Sequence, residues 1–426
     1  MSPVAFPVLG RRLPAGALML VLVISIILAA ILLSLIMLTT NRRRLVQRDT
    51  LRLELRRNLS SGLAYAQAST THPYFRRLSL DLFGQETDSV TIEQKPWGVF
   101  DVAVVIAAKG QFRDTAVALL GSQFSTENQA ALYLADENVP LSVNGDAQVR
   151  GVAYLPRAGT ARPANLPQTG PARTGLAVTG DVRPSQATLP LEPDSTLARL
   201  RDYASLKLTA WLPPGTPITS TVRGQHRSFV ASPVLIYQAA PLTLRSVTLT
   251  GQVVVASAQR LTVEASAQLD NVLLLAPVVV LKRGFRGRVQ VFARDTVDVE
   301  EGCQLAYPSA VGAYSAEGPA VVRLGAGSQI SGVVLAASTA MARNGKLLMA
   351  PSAAIEGQVL ATGALENCGV VRGTVMCRHL TYRTAESFYD NYLVNGTVDR
   401  EGLPKAFLST PLLNARASRG VAAWLR

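Results

Sequence analysis

The chain has 426 residues, of which 48% are hydrophobic and 17% are charged, and its formal net charge is +13 at pH 7. A chain of this length and composition holds two or three folded domains, and both a disordered chain and a coiled coil are excluded. Residues 1–60 contain nine arginines but only two acidic residues, so more than half of the net charge flanks one apolar segment. This distribution favours lipid headgroups over nucleic acid as the partner of the positive charge.

The first element is an apolar run from Ala17 to Leu38 that is interrupted by only two serines. A helix of this length spans the hydrocarbon core of a bilayer, which is about 30 Å thick. The run predicts a single transmembrane helix over residues 17–40, after a cytoplasmic leader over residues 1–16. A cleaved secretory signal and a buried core helix are the alternatives, but the run is longer than a signal h-region and has no polar face.

Beyond the membrane the helix is predicted to continue as an amphipathic helix over residues 41–70, because leucines recur on one face at every fourth position. These leucines are Leu51, Leu55, Leu59 and Leu63. Basic residues flank the apolar run on both sides and are expected to contact lipid headgroups. They are Arg11, Arg12, Arg42, Arg43, Arg44 and Arg48.

This N-terminal region resembles the membrane segments of type IV pilins and pseudopilins, including minor pilins. The resemblance rests on Arg11-Arg12-Leu13-Pro14-Ala15-Gly16 directly before the apolar run, and on the long helix that follows. In that family a glycine ends a cleaved leader and a glutamate lies five residues later, whereas this chain has Val21 there. The resemblance implies leader cleavage at Gly16, association with pilus or secretion machinery, and a C-terminal region outside the cytoplasm.

The membrane orientation has two opposing indications. Arg11 and Arg12 precede the apolar run but four arginines follow it, so the positive-inside rule alone places the C-terminal region in the cytoplasm. The pilin resemblance implies the opposite orientation. We expect a single-pass protein of the inner (cytoplasmic) membrane with an extracytoplasmic C-terminal domain.

Residues 71–128 are predicted to form a small pilin-like α+β segment that contains a three-stranded meander. Alternation of apolar and polar residues is typical of strands with one buried face. The predicted strands are Val90–Lys95, Val99–Ala107 and Phe112–Leu119, separated by glycine-containing turns.

In the C-terminal half, short apolar strands recur at an interval of 18 residues. Two series show this spacing: Leu261, Val279 and Val297, and Val263, Leu281 and Val299. Repeats this short, made of β-branched strands and glycine turns, predict a right-handed parallel β-helix (solenoid) over residues 229–383. A β-sandwich with evenly spaced strands is the alternative.

Two further features belong to this repeat. A glycine ends several strands, in Leu249-Thr250-Gly251, Ile330-Ser331-Gly332, Ile355-Glu356-Gly357 and Val371-Arg372-Gly373. Alternation within a strand places Glu264, Lys282 and Glu300 in one outer column, where the lysine lies between two carboxylates.

The other segments are assigned relative to this solenoid. Residues 129–155 repeat one unit and are predicted to form an early β-helix rung, separated in sequence from the rest. A Pro-rich excursion over residues 156–228, with a candidate helix Asp194–Leu206, is expected to return to the solenoid near Phe229. Residues 384–426 lose the repeat and are predicted to be a C-terminal covering tail.

One strand concentrates acidic residues. Asp295, Asp298 and Glu300 are candidate catalytic carboxylates, because paired carboxylates on a β-helix can act as acid and base on a polysaccharide. Arg294 and Lys282 are placed to neutralise them, which favours ordinary solvated ion pairs.

The remaining reactive side chains form no recognised motif. His72, His226 and His379 are isolated and fit no metal-ligand spacing, so we expect neither a metal nor a cofactor. Cys368 and Cys377 are near enough in sequence to form a disulfide that closes one rung, with buried free thiols as the alternative.

These observations favour a membrane-anchored, extracytoplasmic structural or adhesive protein, associated with pilus or secretion-type envelope machinery. The expected partners are membrane lipid and envelope proteins or polysaccharide, and not nucleic acid. Two alternatives remain: a membrane-anchored polysaccharide-active enzyme, and a cytoplasmic scaffold similar to bactofilins if the topology is reversed. An enzyme is less favoured because no complete catalytic set is recognised.

Overall fold

The computed structural model describes residues 15–69, 73–81, 88–124, 129–161, 178–191, 195–339, 345–414 and 417–425. The protein is mainly β with one long N-terminal helix, α1, which extends from Ala15 to Ala68. The predicted transmembrane and amphipathic segments therefore belong to one continuous helix. Arg11, Arg12 and His72 lie outside the described residues.

The strands are longest in the repeat region, where the longest have 14 residues each. Numbered in chain order, they are β1 Arg77–Leu80, β2 Asp88–Trp97, β3 Phe100–Lys109, β4 Phe112–Ser122, β5 Leu132–Leu134, β6 Leu141–Asn144, β7 Gln148–Arg150, β8 Ala153–Leu155, β9 Thr160–Ala161, β10 Val178–Thr179, β11 Val182–Pro184, β12 Ile218–Thr219, β13 Gln225–Arg227, β14 Val234–Gln238, β15 Leu242–Leu244, β16 Thr248–Gly251, β17 Val253–Ser257, β18 Arg260–Val263, β19 Gln268–Leu281, β20 Arg286–Val299, β21 Gln304–Ser315, β22 Ala320–Leu324, β23 Gln329–Ser338, β24 Gly345–Met349, β25 Ala354–Asn367, β26 Val370–Arg383, β27 Phe388–Asp390, β28 Tyr392–Val394, β29 Thr397–Asp399 and β30 Arg419–Trp424. A second helix, α2, extends from Ser195 to Ala204 and corresponds to the candidate helix of the excursion.

The C-terminal part of α1 packs on an antiparallel sheet of five strands in the order β1-β2-β3-β4-β30. Strands β2, β3 and β4 confirm the predicted meander. Leu55, Leu59 and Leu63 of the predicted stripe are buried against the sheet, and Leu51 is half-buried. A Cβ at Gly62 would overlap two valine side chains of the sheet, so the close approach of the helix depends on this glycine.

Strands β14 to β26 pair in parallel with the strand one repeat later. Val263 of β18 pairs with Leu281 of β19, which in turn pairs with Val299 of β20. All three side chains are fully buried. The predicted spacing is therefore confirmed as the register of neighbouring strands, and each such side chain contributes about 1.5–3 kcal/mol by leaving water.

Strands β20 to β25 close into a six-strand parallel barrel. At one end, β20 pairs with β21 through its first part and with β22 through its last part. These two strands pair with β23 and β24, respectively. At the other end, β25 pairs with β23 through its first part and with β24 through its last part, which closes the ring. Strands β19 and β20 pair in three segments, with register shifts after Asp270 and after Ala276. The paired strands thus form three sides, which in β20 are residues 286–288 (first side), 289–293 (second side) and 296–299 (third side).

Glycines occupy the bend between the first and second sides. Gly332, Gly357 and Gly373 have φ angles of 147°, 144° and 147°, which other residues rarely adopt. A Cβ at each would overlap backbone atoms of the strand before it. This requirement explains the glycine in the repeated sequence pattern.

Residues 129–155 extend the parallel pairing beyond β26. Strand β5 pairs with β26 through Leu132 and Val375, and β7 pairs with β29. The segment therefore lies beside β26, the last long strand. It does not form an early rung that precedes the strands after Phe229. The excursion connects the two ends, because β10 and β11 pair with β7 and β8, whereas β12 pairs with β14.

The C-terminal tail contributes to both sheets. Strand β27 turns back antiparallel to β26, and β29 continues the parallel pairing between β26 and β7. Strand β30 then joins the meander by pairing antiparallel with β4. The beginning and the end of the chain beyond α1 are therefore held in one sheet.

We predict that Leu281→Ala lowers the free energy of unfolding by about 2–5 kcal/mol, because it leaves a cavity between two in-register strands. Thr262→Ala, at a half-exposed position of the neighbouring strand, is the matched control and should cost less than about 1 kcal/mol. Urea unfolding of the detergent-solubilised protein, followed by fluorescence of the buried Trp97, measures both values. Equal losses of unfolding free energy in the two variants would contradict the burial of Leu281 between the neighbouring strands.

Candidate functional site

The N-terminal part of α1 is apolar and exposed. Its large hydrophobic side chains from Leu18 to Leu38 range from 45% exposed at Val23 to 73% exposed at Leu18. By length and composition this one helix can cross a membrane, and its most apolar window has a mean hydropathy of 3.2. Four exposed arginines follow on the same helix: Arg42, Arg43, Arg44 and Arg48.

The second side of the parallel sheet is covered by the antiparallel sheet and by α2. Outward-facing residues of this side, such as Phe292, belong to one buried cluster with Trp97 and Tyr203. The Tyr203 and Phe292 rings stack with centroids 5.5 Å apart. The hairpin between β2 and β3 is also fastened to Gln290, whose amide accepts from Val99 N (2.9 Å) and donates to Trp97 O (3.0 Å). This side is therefore a joint between the two sheets and not a free surface.

The joint contains a buried charge network. Arg199 of α2 donates to Asp101 Oδ1 and to the backbone oxygen of Phe100, each at 3.0 Å. Arg419 of β30 lies 3.4 Å from the other oxygen of Asp101. Tyr74 donates to Asp101 at 3.0 Å, and burial raises the pKa of Tyr74. The network ties α2, the meander and the last strand together, at the desolvation cost that buried charges carry.

Two of the three candidate catalytic acids, Asp295 and Glu300, are held in ion pairs. Arg294 binds both oxygens of Asp295, each at 3.0 Å. Lys282 Nζ lies 2.7 Å from Glu300 Oε1, and this hydrogen bond is the main cause that lowers the pKa of Glu300. A general acid needs a raised pKa, so Glu300 has the electrostatics of a charged surface residue.

The acids also do not converge on one point. Asp298 lies on the third side, in register with Arg323, and lines a shallow cleft of about 430 Å³ together with Glu300. Asp295 lies at the preceding bend and does not line this cleft. Asp298 and Glu300 therefore share one cleft, whereas Asp295 lies apart from them.

The predicted outer column exists, but only one of its two ion pairs forms. The backbone amides of Glu264, Lys282 and Glu300 each bond to the preceding strand at equivalent positions. Lys282 pairs with Glu300, whereas the carboxylate of Glu264 lies 4.0 Å from Arg245. The lysine therefore does not bridge two carboxylates as expected.

Two histidines contact polar side chains. Nδ1 of His226 lies 2.6 Å from the Thr250 hydroxyl. The buried His379 lies between Glu137, 3.4 Å from Nε2, and Asp390, 3.2 Å from Nδ1. This cluster is not recognisable from the sequence, because Glu137 reaches β26 only through the long-range pairing of residues 129–155. Within the described ranges, no group of three or more His, Cys, Asp or Glu side chains is arranged to hold a metal ion.

The cysteines are free thiols, so the predicted disulfide between Cys368 and Cys377 is not formed. Cys377 pairs in register with Ala361 and Leu134, and its side chain lies in the interior, where burial raises its pKa. Cys368 lies in the turn after β25 and is half-buried. An interior position and a turn position on different sides do not bring the two sulfur atoms together.

The first side is open, and it carries a groove of about 630 Å³ that we call the first-side groove. Long side chains, including Arg286 and Arg372, and small ones, including Ala306 and Ala354, both line it. The full lining is Arg286, Gly287, Gln304, Leu305, Ala306, Gln329, Ile330, Ser331, Ser352, Ala353, Ala354, Ile355, Glu356, Val370 and Arg372. The sequence analysis did not predict this groove. Leu305, Ile330 and Ile355 point inward, so the residues before and after each of them face outward and line the groove.

No protein-family model matches the chain. No curated protein sequence matches it either. Among solved structures, the crystal structure of the competence-associated pilin ComZ from Thermus thermophilus is similar over 83% of this chain and 87% of that chain, with 12% sequence identity and a TM-score of 0.22. At this TM-score the similarity does not bear on fold or function, which rest on the contacts described above.

We predict that Arg199→Met lowers the free energy of unfolding by about 3–5 kcal/mol, because the variant leaves the buried Asp101 carboxylate without its closest cation. Arg201→Met is the matched control, since this arginine lies on the same helix with its side chain 56% exposed. Urea denaturation of both variants checks the prediction. A loss at Arg199 no larger than that at Arg201 would show that the network does not stabilise the joint.

We predict three free thiols. Protein that is unfolded without reductant in the presence of iodoacetamide should gain three alkyl groups by mass spectrometry, one for each cysteine of the chain. In the folded protein Cys377 should react much more slowly than in the unfolded protein, because it is buried and its pKa is raised. Recovery of a peptide pair linked through Cys368 and Cys377 would contradict the structure.

Proposed function

We propose that the protein is a membrane-anchored structural or adhesive component that is associated with pilus-type or secretion-type envelope machinery. The observation that carries this proposal is the division of α1 into an exposed apolar part and a part buried on an antiparallel sheet. A helix that continues from lipid into a sheet-packed domain is what the pilin resemblance of the N-terminal sequence implies.

We infer that the parallel strands form a right-handed β-helix. Three observations support this: pairing in parallel with the strand one repeat later, three sides per turn, and an interior filled by aliphatic side chains. Parallel strands joined by a crossover connection are right-handed in about 98% of cases, which favours that hand here. A β-helix presents long lateral surfaces, and two of its sides remain available outside the joint.

We infer further that the membrane is the inner (cytoplasmic) membrane and that the β-helix lies outside the cytoplasm. The pilin resemblance supports this orientation, while the arginines after the apolar run argue against it. An adhesive role is favoured over catalysis, because two of the three acidic candidates, Asp295 and Glu300, are paired with Arg294 and Lys282. A general acid needs a raised pKa, whereas the pKa of Glu300 is lowered.

We expect the wild-type chain to remain in the membrane fraction after an alkaline carbonate wash of bacterial cells that express it. The variant L28R/I31R should shift to the soluble fraction, because each arginine at the centre of a membrane helix costs about 2.5–3.5 kcal/mol. Leu53→Arg is the control, since this exposed leucine follows the apolar run. Wild-type protein that washes off as readily as L28R/I31R would disprove the anchor.

The side of the membrane is tested separately. With a C-terminal epitope tag, protease added to spheroplasts should remove the tag while a cytoplasmic marker protein stays intact. Protection of the tag until the cells are lysed would overturn the extracytoplasmic assignment and favour a cytoplasmic scaffold.

A further inference from the structure

The first-side groove is a concave surface of about 630 Å³ on the parallel strands. It lies across neighbouring parallel strands, because its lining residues come from β20, β21, β23, β25 and β26. Neighbouring strands are about 4.8 Å apart, so five strands give a surface about 19 Å long. The groove therefore has room for an extended ligand that runs along the stack.

One column of the groove holds polar side chains that have no partner among the described residues. Arg286, Gln304 and Gln329 lie directly beside one another in register and are exposed. Over the described ranges, none of these three side chains takes part in a hydrogen bond or an ion pair. Two amides and one guanidinium thus offer donors, and the amides also offer acceptors, at each successive strand.

The second column alternates in charge. Ser331 donates to Glu356 at 3.3 Å, and Glu356 is followed in register by Arg372 and then by Asp399. Asp399 forms an ion pair with Arg150, whose guanidinium nitrogen lies 3.6 Å from the carboxylate. Arg372 is exposed at the edge of the groove, so together with Arg286 it places one guanidinium near each end.

This chemistry is that of a site for a polyhydroxylated, carboxylated chain. Amide side chains exchange hydrogen bonds with hydroxyl groups, and guanidinium groups bind carboxylates with two parallel hydrogen bonds. A peptide fits less well, because no aromatic residue lines the groove and the strands beneath it are already paired on both sides. A nucleic acid also fits less well, because the groove has no aromatic side chain on which its bases could stack.

We propose that the first-side groove binds a linear acidic polysaccharide that lies along the stack of strands. Its carboxylates contact Arg286 and Arg372, and its hydroxyl groups exchange hydrogen bonds with Gln304 and Gln329. This inference deepens the proposed adhesive function and rests on it for its biological setting. The binding step itself can be measured without reference to the membrane or its orientation.

The test uses the full chain in nanodiscs of zwitterionic lipid and three immobilised polyuronates: polygalacturonate, alginate and hyaluronate. Uncharged dextran is the comparison polymer. We expect wild-type protein to bind at least one polyuronate, and R286Q/R372Q to raise the Kd at least tenfold. Q304A/Q329A, which leaves the charge unchanged, should raise the Kd severalfold.

The matched control is R260Q/R323Q, which removes two exposed arginines from the third side and changes the net charge equally. Its Kd should stay within twofold of the wild-type value. The unfolding midpoints of all variants should match, since every substituted side chain is exposed.

Several outcomes would overturn the proposal. They are absence of binding to all three polyuronates, equal losses in R286Q/R372Q and R260Q/R323Q, equal binding to dextran, and tighter binding to a single-stranded oligonucleotide than to any polyuronate. Failure of the carbonate wash or the spheroplast test would reject the proposed function instead, and would leave the measured affinities intact. The two proposals therefore fail separately.

Discussion

Burial of aliphatic side chains between parallel strands in register is the interaction on which the molecule depends. Val263, Leu281 and Val299 show it most simply, since each lies directly beside the next and none contacts water. The contact is non-directional, but the backbone pairing fixes which residues meet. The outward positions are then fixed as well, because side chains alternate along a strand. The ion pairs and the first-side groove therefore depend on the same register as the core.

The second constraint is the joint between the parallel and antiparallel sheets. It uses aromatic contact, as between Tyr203 and Phe292, and buried polar contact, as between Gln290 and the hairpin of the meander. Because the second side is covered in this way, α1 is coupled to the parallel sheet through packed side chains and not through a flexible linker. The helix and the two sheets therefore belong to one packed unit.

Much of the fold is readable from the sequence because it is periodic. The spacing of Leu261, Val279 and Val297 predicts the register, and the leucine stripe predicts the buried face of α1. The neighbour of residues 129–155 is not readable, since a repeat unit fits either end of a stack equally well. For the same reason the sequence reveals neither the contact of His379 with Glu137 nor the addition of β30 to the meander. The first-side groove is not predictable from the sequence, because its lining residues occupy equivalent positions in successive strands but differ in residue type.

The path of the chain through the fold has a consequence for its biogenesis. The backbone amide of Asp146 donates to the side chain of Asn395, which lies 249 positions later, and the sheet on which α1 packs is completed by β30, the last of the described strands. Contacts so distant cannot form while the polypeptide is still emerging from the ribosome. The early segment must wait, with its apolar strands uncovered, until translation ends. The interval before the last strand arrives is therefore the stage at which the chain is most prone to aggregate.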